Sequence, residues 1–98
     1  MTLPLTFHPS VRGEVDDGYR WYEQRQTGLG RAFLDELDRV LAEIAANPAR
    51  FGFADADVRE GLLNRFPYAI YYRVLADRIR VLAVYHTARD PSGWQSRT

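Results

Sequence analysis

The sequence predicts an α+β domain in which a helical hairpin packs on an antiparallel sheet, with the element order β-α-α-β-β-β. Two patterns support this. Apolar residues recur at spacings of three and four between residues 9 and 46, which is the period of an amphipathic helix. From Val58 onward the apolar residues alternate with polar ones, as they do in half-buried strands. We expect residues 1–98 to form a single domain, because a chain of this length builds one core.

The first two predicted elements are a short strand and a helix. Residues 3–7 alternate apolar with other residues, and His8-Pro9-Ser10 ends the strand. Pro9 suits the first position of a helix, where its missing N–H would have no partner in any case. The stretch 27–30, which contains two glycines, ends the helix. The inward-facing stripe of this helix consists of Val11, Val15, Gly18, Tyr19 and Tyr22.

The second predicted helix has a clearer apolar stripe, with charged residues on its other faces. Asn47-Pro48 ends it, because proline disfavours helical geometry in the preceding residue. Two helices joined by a short link form a helical hairpin. Residues 50–57 then predict a loop. The stripe of the second helix consists of Leu29, Phe33, Leu37, Val40, Leu41 and Ile44.

Three strands are predicted to follow, at 58–63, 67–75 and 78–87, because these segments are rich in Val, Ile, Leu and Tyr. A two-residue turn at Ala76-Asp77 would place Arg73 opposite Arg80. In this register the side chains that face the helices are Tyr68, Ile70, Tyr72, Val74, Ile79, Val81, Ala83 and Tyr85. The candidate functional face is the opposite one, with Ala69, Tyr71, Arg73, Arg80, Leu82, Val84 and His86.

The composition excludes several classes of protein. The chain has no cysteine, which rules out disulfides and thiolate chemistry. No window approaches the roughly 20 apolar residues of a membrane helix, and no basic leader precedes the first strand, so we expect a cytoplasmic protein. No spacing of ligand residues matches a metal site and no Gly-rich phosphate loop is present. We therefore expect no metal and no cofactor.

The net charge is zero, but the charges are unevenly distributed. Residues 1–57 carry six arginines against ten acids, whereas residues 58–98 carry seven arginines against three acids. All thirteen basic residues are arginine, which favours forked contacts to carboxylate or phosphate but also follows from a GC-rich genome. The pI near 6.7 lacks the basicity of a dedicated nucleic-acid binder. Any such binding would be local.

Three motifs in the same order resemble the RelE/ParE superfamily of toxins from bacterial type II toxin-antitoxin systems. They lie in GYRWYEQRQTGLGRAFLDELDRVLAEIAANPARF, RFPYAIYYRV and RIRVLAVYHTARDP. The WYE, PY-x-I-x-Y and final H-x-x-RD patterns are especially similar to ParE-like members, some of which are called plasmid-stabilisation proteins. The resemblance implies a growth-inhibiting protein that a small antitoxin neutralises within a toxin-antitoxin hetero-oligomer.

The superfamily includes two mechanisms. ParE-like members inhibit DNA gyrase, whereas RelE-like members cut mRNA in the ribosome. We favour the ParE-like mechanism, which assigns no catalysis to this chain, because the chain lacks the strong basicity of ribosome-binding members. A ribosome-dependent mRNA endonuclease is the second candidate, and enzymatic activity stays open. The third candidate is a non-toxic module of this fold that only binds its partner.

The candidate site residues lie on the last three strands and the loops that join or follow them. If the chain is a nuclease, the catalytic residues would be His86, which would transfer a proton, and Arg89, which would hold phosphate. The general base is open among Glu60, Tyr71 and Asp90. The residues expected to contact a partner or a phosphate are Arg59, Arg65, Tyr71, Arg73 and Arg80.

Each of these residues also has a structural interpretation. His86 would hydrogen-bond Asp90 or a backbone carbonyl at the end of its strand. Arg73 and Arg80, as like charges placed opposite each other, indicate an anionic partner or simply extend into water. Trp94 would either cover the edge of the sheet or lie in a mobile tail.

Overall fold

A computed structural model describes residues 2–98 of the chain. The fold class and the order of helical hairpin and strands agree with the prediction, and one further short strand lies where a loop was expected. The elements are β1 (Leu5–Phe7), α1 (Ser10–Arg25), α2 (Leu29–Ala46), a 3-10 helix (Pro48–Arg50), β2 (Phe53–Asp55), β3 (Val58–Leu62), β4 (Tyr68–Val74), β5 (Ile79–His86) and α3 (Ser92–Gln95).

The five strands form one sheet in the order β1-β5-β4-β3-β2. β1 pairs with β5 in parallel, and the other neighbouring strands are antiparallel. β1 pairs only with Ile79, Arg80 and Val81, so the second half of β5 has no strand beside it on that side. The backbone groups there require other partners, because a buried backbone N–H or C=O without a hydrogen bond is costly.

The joint of the helical hairpin depends on one glycine and one carboxylate. Gly28 has φ of 90°, a left-handed conformation that glycine adopts without steric cost. The carboxylate of Glu23 accepts hydrogen bonds from the backbone N–H groups of Gly28 and Gly30, each at 3.1 Å. These N–H groups lie at the start of α2, where they have no partner within the helix. Glu23 therefore caps α2 from the preceding helix.

The main core lies between the helical hairpin and one face of the sheet, and both predicted apolar stripes contribute to it. Phe33, Ile44, Ile70 and Tyr72 are fully buried there. The phenol of Tyr72 donates a hydrogen bond to the carbonyl of Pro48 at 2.7 Å, and burial raises the pKa of Tyr72 to about 12. The hydroxyl is therefore a fixed donor at neutral pH.

A β-bulge in β5 changes the pairing predicted for the last two strands. Next to the turn, Tyr72 pairs with Val81, as the two-residue turn requires. Beyond that pair Leu82 is an extra residue, so Tyr71 pairs with Ala83. A bulge places two residues of one strand opposite one of its partner, and the alternation of sides inverts beyond it. The bulge is in the middle of the strand, and no turn residue signals it.

The assignment of side chains beyond the bulge was therefore wrong. Val84 faces the helices and belongs to the main core, and His86 lies on the same side of the sheet. Ala83 and Tyr85 belong instead to a second, smaller core on the opposite face. The sheet face that was expected to carry His86 carries the second core there instead.

Trp94 completes this second core. Its indole is 2% exposed and stacks on Tyr71, with the ring centroids 4.1 Å apart and the planes at 15°. Trp94 was expected either to cover the edge of the sheet or to lie in a mobile tail. Both expectations are wrong, because its side chain lies on the sheet face opposite the helices. The second core consists of Val58, Ala69, Tyr71, Leu82, Ala83, Tyr85 and Trp94.

Within residues 2–98, no helix is long and apolar enough to cross a membrane.

Candidate functional site

A cleft opens beside α1 at the end of the sheet where β4 begins and β5 ends. Its volume is about 480 Å³. We call it the α1 cleft. The bulge brings His86 into it, because the shifted alternation turns this side chain toward the helices. The lining residues are Asp17, Trp21, Tyr68, His86, Ala88 and Arg89.

Aromatic rings form the walls of the α1 cleft. The Tyr68 ring packs edge to face against His86, with centroids 5.3 Å apart, and its other neighbours in the core include Phe33 at 5.1 Å. Trp21 is 52% exposed, and the guanidinium of Arg25 lies 3.1 Å from the centroid of its ring. This cation–π contact holds the indole in place without burying it. The cleft thus has a rigid ring from the sheet and a second ring from α1.

His86 has a defined tautomer in this position. Its Nδ1 accepts a hydrogen bond from the backbone N–H of Ala88 at 3.0 Å. A nitrogen that accepts a hydrogen bond carries no proton, so neutral His86 carries its proton on Nε2. The ring therefore offers a donor, and not a base, to a ligand. The expected bond to Asp90 is absent, because that carboxylate accepts the N–H of Ser92 at 3.0 Å, which lowers the pKa of Asp90.

One positive and one negative side chain flank the hydroxyl of Tyr68. Burial raises the pKa of Tyr68; the Arg89 guanidinium opposes this rise and the Asp17 carboxylate adds to it. Asp17 contacts Arg20 at 3.4 Å in an exposed pair. The Arg89 guanidinium lies 4.4 Å from the centroid of the Tyr85 ring. Within residues 2–98 Arg89 forms no ion pair, and its guanidinium contacts the Tyr85 ring, which belongs to the second core.

The arginines predicted to contact a partner or a phosphate do not form one surface with His86. Arg73 and Arg80 lie opposite each other, as predicted, close to the turn between β4 and β5. The Nε of Arg73 contacts the Asp57 carboxylate at 2.9 Å, and the Nε of Arg80 donates to the carbonyl of Thr98 at 3.4 Å. These contacts reduce the repulsion between the two guanidinium groups. The pair lies at the opposite end of β5 from His86.

The remaining members of that predicted set lie elsewhere. Arg59 donates to the carbonyls of Ala49 and Phe51 and packs 3.9 Å from the centroid of the Phe53 ring. Arg65 occupies the β3–β4 turn with a left-handed φ of 70°. Tyr71 is buried beneath Trp94, and burial together with the negative charge of Glu60 raises its pKa.

The three candidates for a general base are also separated from His86. Tyr71 and Glu60 pair on neighbouring strands, with Tyr71 in the second core on the far side of the sheet. Asp90 lies in the loop after β5 and is engaged with Ser92. The carboxylate that does line the α1 cleft is Asp17 of α1, which was not among the candidate site residues.

A nearly buried ion pair lies along the part of the β5 edge that has no neighbouring strand, and it was not predicted from the sequence. Glu14 Oε2 contacts Arg97 Nη1 at 2.8 Å, and the two side chains are only 13% and 15% exposed. Glu14 Oε1 accepts the N–H of Val84 at 3.0 Å, and Arg97 Nη1 donates to the carbonyl of Leu82 at 3.0 Å. The pair therefore provides the hydrogen-bond partners that a neighbouring strand would otherwise give to this part of β5.

The sequence contained a signal for half of this pair. Glu14 lies three residues after Val11 and four before Gly18, both of which are buried on the inward stripe of α1. A carboxylate at that spacing is directed toward the sheet, where it needs a partner. Nothing in the local sequence identifies Arg97 as that partner.

These features define a small α+β domain of the type that the RelE/ParE resemblance implies. A family model described as "ParE toxin of type II toxin-antitoxin system, parDE" matches residues 5–91, and the chain belongs to this family. All residues of the α1 cleft lie within the matched range, whereas Trp94 and Arg97 lie beyond it.

A solved structure agrees with this assignment. It is described as "Chromosomal ParDE TA system from P. aeruginosa" and has a TM-score of 0.76 and 15% sequence identity. The match covers 87% of this chain and 96% of that chain, so the two share their fold over nearly their whole length. No curated protein matches the sequence significantly.

Proposed function

We propose that this protein, as a ParE-family toxin of a type II system, inhibits growth by acting on DNA gyrase in the cytoplasm and is neutralised by a cognate antitoxin. The observation that carries the proposal is the family match over residues 5–91, which includes all five strands and both long helices. Fold alone does not define a target, so the target requires its own test.

The geometry of the α1 cleft supports a mechanism by protein contact over mRNA cleavage. Cleavage at a 2′-hydroxyl needs a base, an acid and cations around one phosphate. His86 offers a donor through Nε2, and the candidate base Tyr71 lies on the other side of the sheet. Arg73 and Arg80 lie at the far end of β5. Among residues 2–98, Arg89 is the one arginine that lines the cleft itself.

An antitoxin would bury apolar side chains that are exposed in the isolated chain. An exposed apolar residue is common, but a partner interface collects several of them at its centre. We propose a toxin-antitoxin hetero-oligomer whose interface includes members of this group. The large exposed apolar side chains are Phe7, Trp21, Phe53, Leu62 and Val74.

The test is to induce the chain in cells with and without the neighbouring reading frame that encodes the candidate antitoxin. We expect filamentation and a DNA-damage response without the antitoxin, rescue with it, and inhibition of supercoiling by purified gyrase. Rapid arrest of translation with mRNA cuts at fixed codon positions would instead identify a ribosome-dependent nuclease. If growth does not slow, the non-toxic binding module is correct.

The variant His86→Ala separates the first two outcomes. Contact with gyrase does not use proton transfer, so we expect this variant to keep most of its growth inhibition; a nuclease that depends on His86 would lose it. A melting curve of the purified variant checks its fold, since the lost ring packs against Tyr68. His86→Asn is the matched control, because its Oδ1, which is bonded to Cγ as Nδ1 is, can still accept the N–H of Ala88.

A further inference from the structure

The two histidines of the chain make the same local contact. His8 follows β1, and His86 ends β5, the parallel neighbour of β1. Nδ1 of His8 accepts a hydrogen bond from the backbone N–H of Ser10 at 3.1 Å, as Nδ1 of His86 does from that of Ala88 at 3.0 Å. Each bond exists only while the imidazole is neutral, because both nitrogens of an imidazolium carry a proton. The same chemical event therefore breaks both contacts.

The bond of His8 lies at the start of α1. Ser10 is the first residue of this helix, and its N–H has no acceptor within the helix. The cap residue, Pro9, has no polar side chain, so the ring of His8 supplies the acceptor. A proton on this ring would remove the acceptor and would also place a positive charge beside the positive end of the helix dipole. Both effects act against the first turn of α1.

The bond of His86 lies where β5 ends and the loop of residues 87–91 begins. The carbonyl of His86 accepts the N–H of Arg89 at 3.1 Å, so ring and backbone of this residue together hold the turn at residues 86–89. The ring also packs edge to face against Tyr68 in the wall of the α1 cleft. A proton on the ring would leave the N–H of Ala88 without its acceptor and would loosen this turn.

The charged groups around the two rings offset one another. Each ring shares a cleft with one carboxylate of α1, and an arginine of α1 accompanies each carboxylate. The attraction of an imidazolium to the carboxylate is therefore reduced, and the lost hydrogen bond is the main consequence of protonation. These groups are Arg12 and Asp16 for His8, and for His86 they are Asp17 with its partner Arg20, together with Tyr68 of β4 and Arg89 of the loop.

We propose that His8 and His86 form a proton-sensitive switch at the ends of β1 and β5. Proton uptake by either ring breaks its bond to the backbone and opens the first turn of α1 or the turn at residues 86–89. Neither ring belongs to the main core or to the second core, so both cores stay packed. An ordinary imidazole changes its charge at about pH 6.5, where carboxylates and arginines keep theirs. The switch therefore operates between about pH 7.5 and pH 5.

The experiment is a pH titration of the purified chain and of the double variant His8→Asn/His86→Asn, followed by two-dimensional NMR. Asparagine is the matched replacement, because its Oδ1 is bonded to Cγ as Nδ1 is and accepts the same N–H, but the amide does not titrate in this range. In the wild type, the amide protons of Ser10 and Ala88 should lose the shift of a hydrogen-bonded N–H as the pH falls. In the double variant both should stay constant.

Urea unfolding at about pH 7.5 and about pH 5 measures the energetic consequence. Two hydrogen bonds of ordinary strength correspond to a roughly 5- to 100-fold change in the unfolding equilibrium constant. We expect this constant to increase by that factor more for the wild type than for the double variant when the pH falls. Each single variant should keep part of the difference, which assigns that part to one of the two turns.

The proposal is overturned if the wild type and the double variant lose stability in parallel over this range. It is equally overturned if the two amide signals of the wild type do not move, or if they move as far in the double variant. A general loss of NMR dispersion in the wild type at about pH 5 would contradict an opening that leaves both cores packed. If the double variant does not fold, the two single variants carry the same comparison. The proposed action on gyrase can succeed or fail independently, because every measurement uses the purified chain alone.

Discussion

Replacement of Glu14 by alanine should destabilise this domain more than the loss of any surface ion pair. The substitution removes the partner of the Arg97 guanidinium and the acceptor of the Val84 N–H at once. Both side chains of the pair are less than one-sixth exposed, at 13% and 15%. Water can therefore replace the lost contacts only in part, and the guanidinium would remain close to the carbonyl of Leu82 without a counter-charge.

The magnitude follows from these contacts. Removing one member of a fully buried ion pair costs about 3–5 kcal/mol, and an unsatisfied buried N–H costs about 1–3 kcal/mol. Because the pair is slightly exposed and the two losses share one side chain, we expect Glu14→Ala to lower the free energy of unfolding by about 2–4 kcal/mol. For a domain of this size that corresponds to a fall in Tm of roughly 10–20 °C.

The assay is urea unfolding followed by circular dichroism, with Glu14→Ala, Arg97→Ala and the double variant forming a thermodynamic cycle. We expect a coupling energy above about 1 kcal/mol. The control is Asp35→Ala, which removes an ion pair to Arg31 with 74% and 60% exposed side chains and should cost less than about 1 kcal/mol. A loss below about 0.5 kcal/mol for Glu14→Ala, or no coupling, would refute the idea that this pair replaces a strand.

Two further predictions concern stability. Trp94→Ala should lower the free energy of unfolding by about 3–5 kcal/mol, because it empties the second core above Tyr71; a loss under about 1 kcal/mol in the same urea assay would mean that this cover is not packed in solution. Glu36 has a pKa lowered by its hydrogen bonds with Arg39 and with the N–H of Asn64. A depressed pKa contributes stability above the unfolded-state pKa that is lost as the pH falls through the folded-state pKa. Wild type should therefore lose stability below about pH 4.5 more steeply than Glu36→Gln, and parallel acid melting curves would contradict the assignment.

The sequence was sufficient for the elements that depend on local periodicity. The stripe from Phe33 to Ile44 predicted which face of α2 is buried: all of its members there are buried except Leu41, which is partly buried. The two-residue turn at Ala76-Asp77 predicted the pairing of Arg73 with Arg80, because the length of the turn sets the register of the strands that it joins.

The features that could not be predicted depend on contacts between distant parts of the chain. The bulge at Leu82 is in an uninterrupted apolar run, where either register buries an apolar side chain, so the sequence pattern does not distinguish them. The α1 cleft joins Asp17 and Trp21 to His86 across the fold, and the position of His86 follows from the bulge. Because the prediction did not include this bulge, it placed His86 on the wrong face of the sheet.

The extra residue at Leu82 allows β5 to change its length by one residue without a change at the end of the sheet. Deletion of Leu82 would join Val81 to Ala83 and remove the bulge, but the pairs Tyr71–Ala83 and Tyr68–His86 would remain, so His86 would stay on the side of the α1 cleft. For relatives as distant as 15% identity, an alignment gap at Leu82 therefore leaves the counterpart of His86 unchanged, whereas a gap placed further along the strand would assign a different residue to it. A one-residue insertion or deletion at the bulge offers a family of this fold a way to alter the middle of its last strand while the group at the end of the sheet is kept.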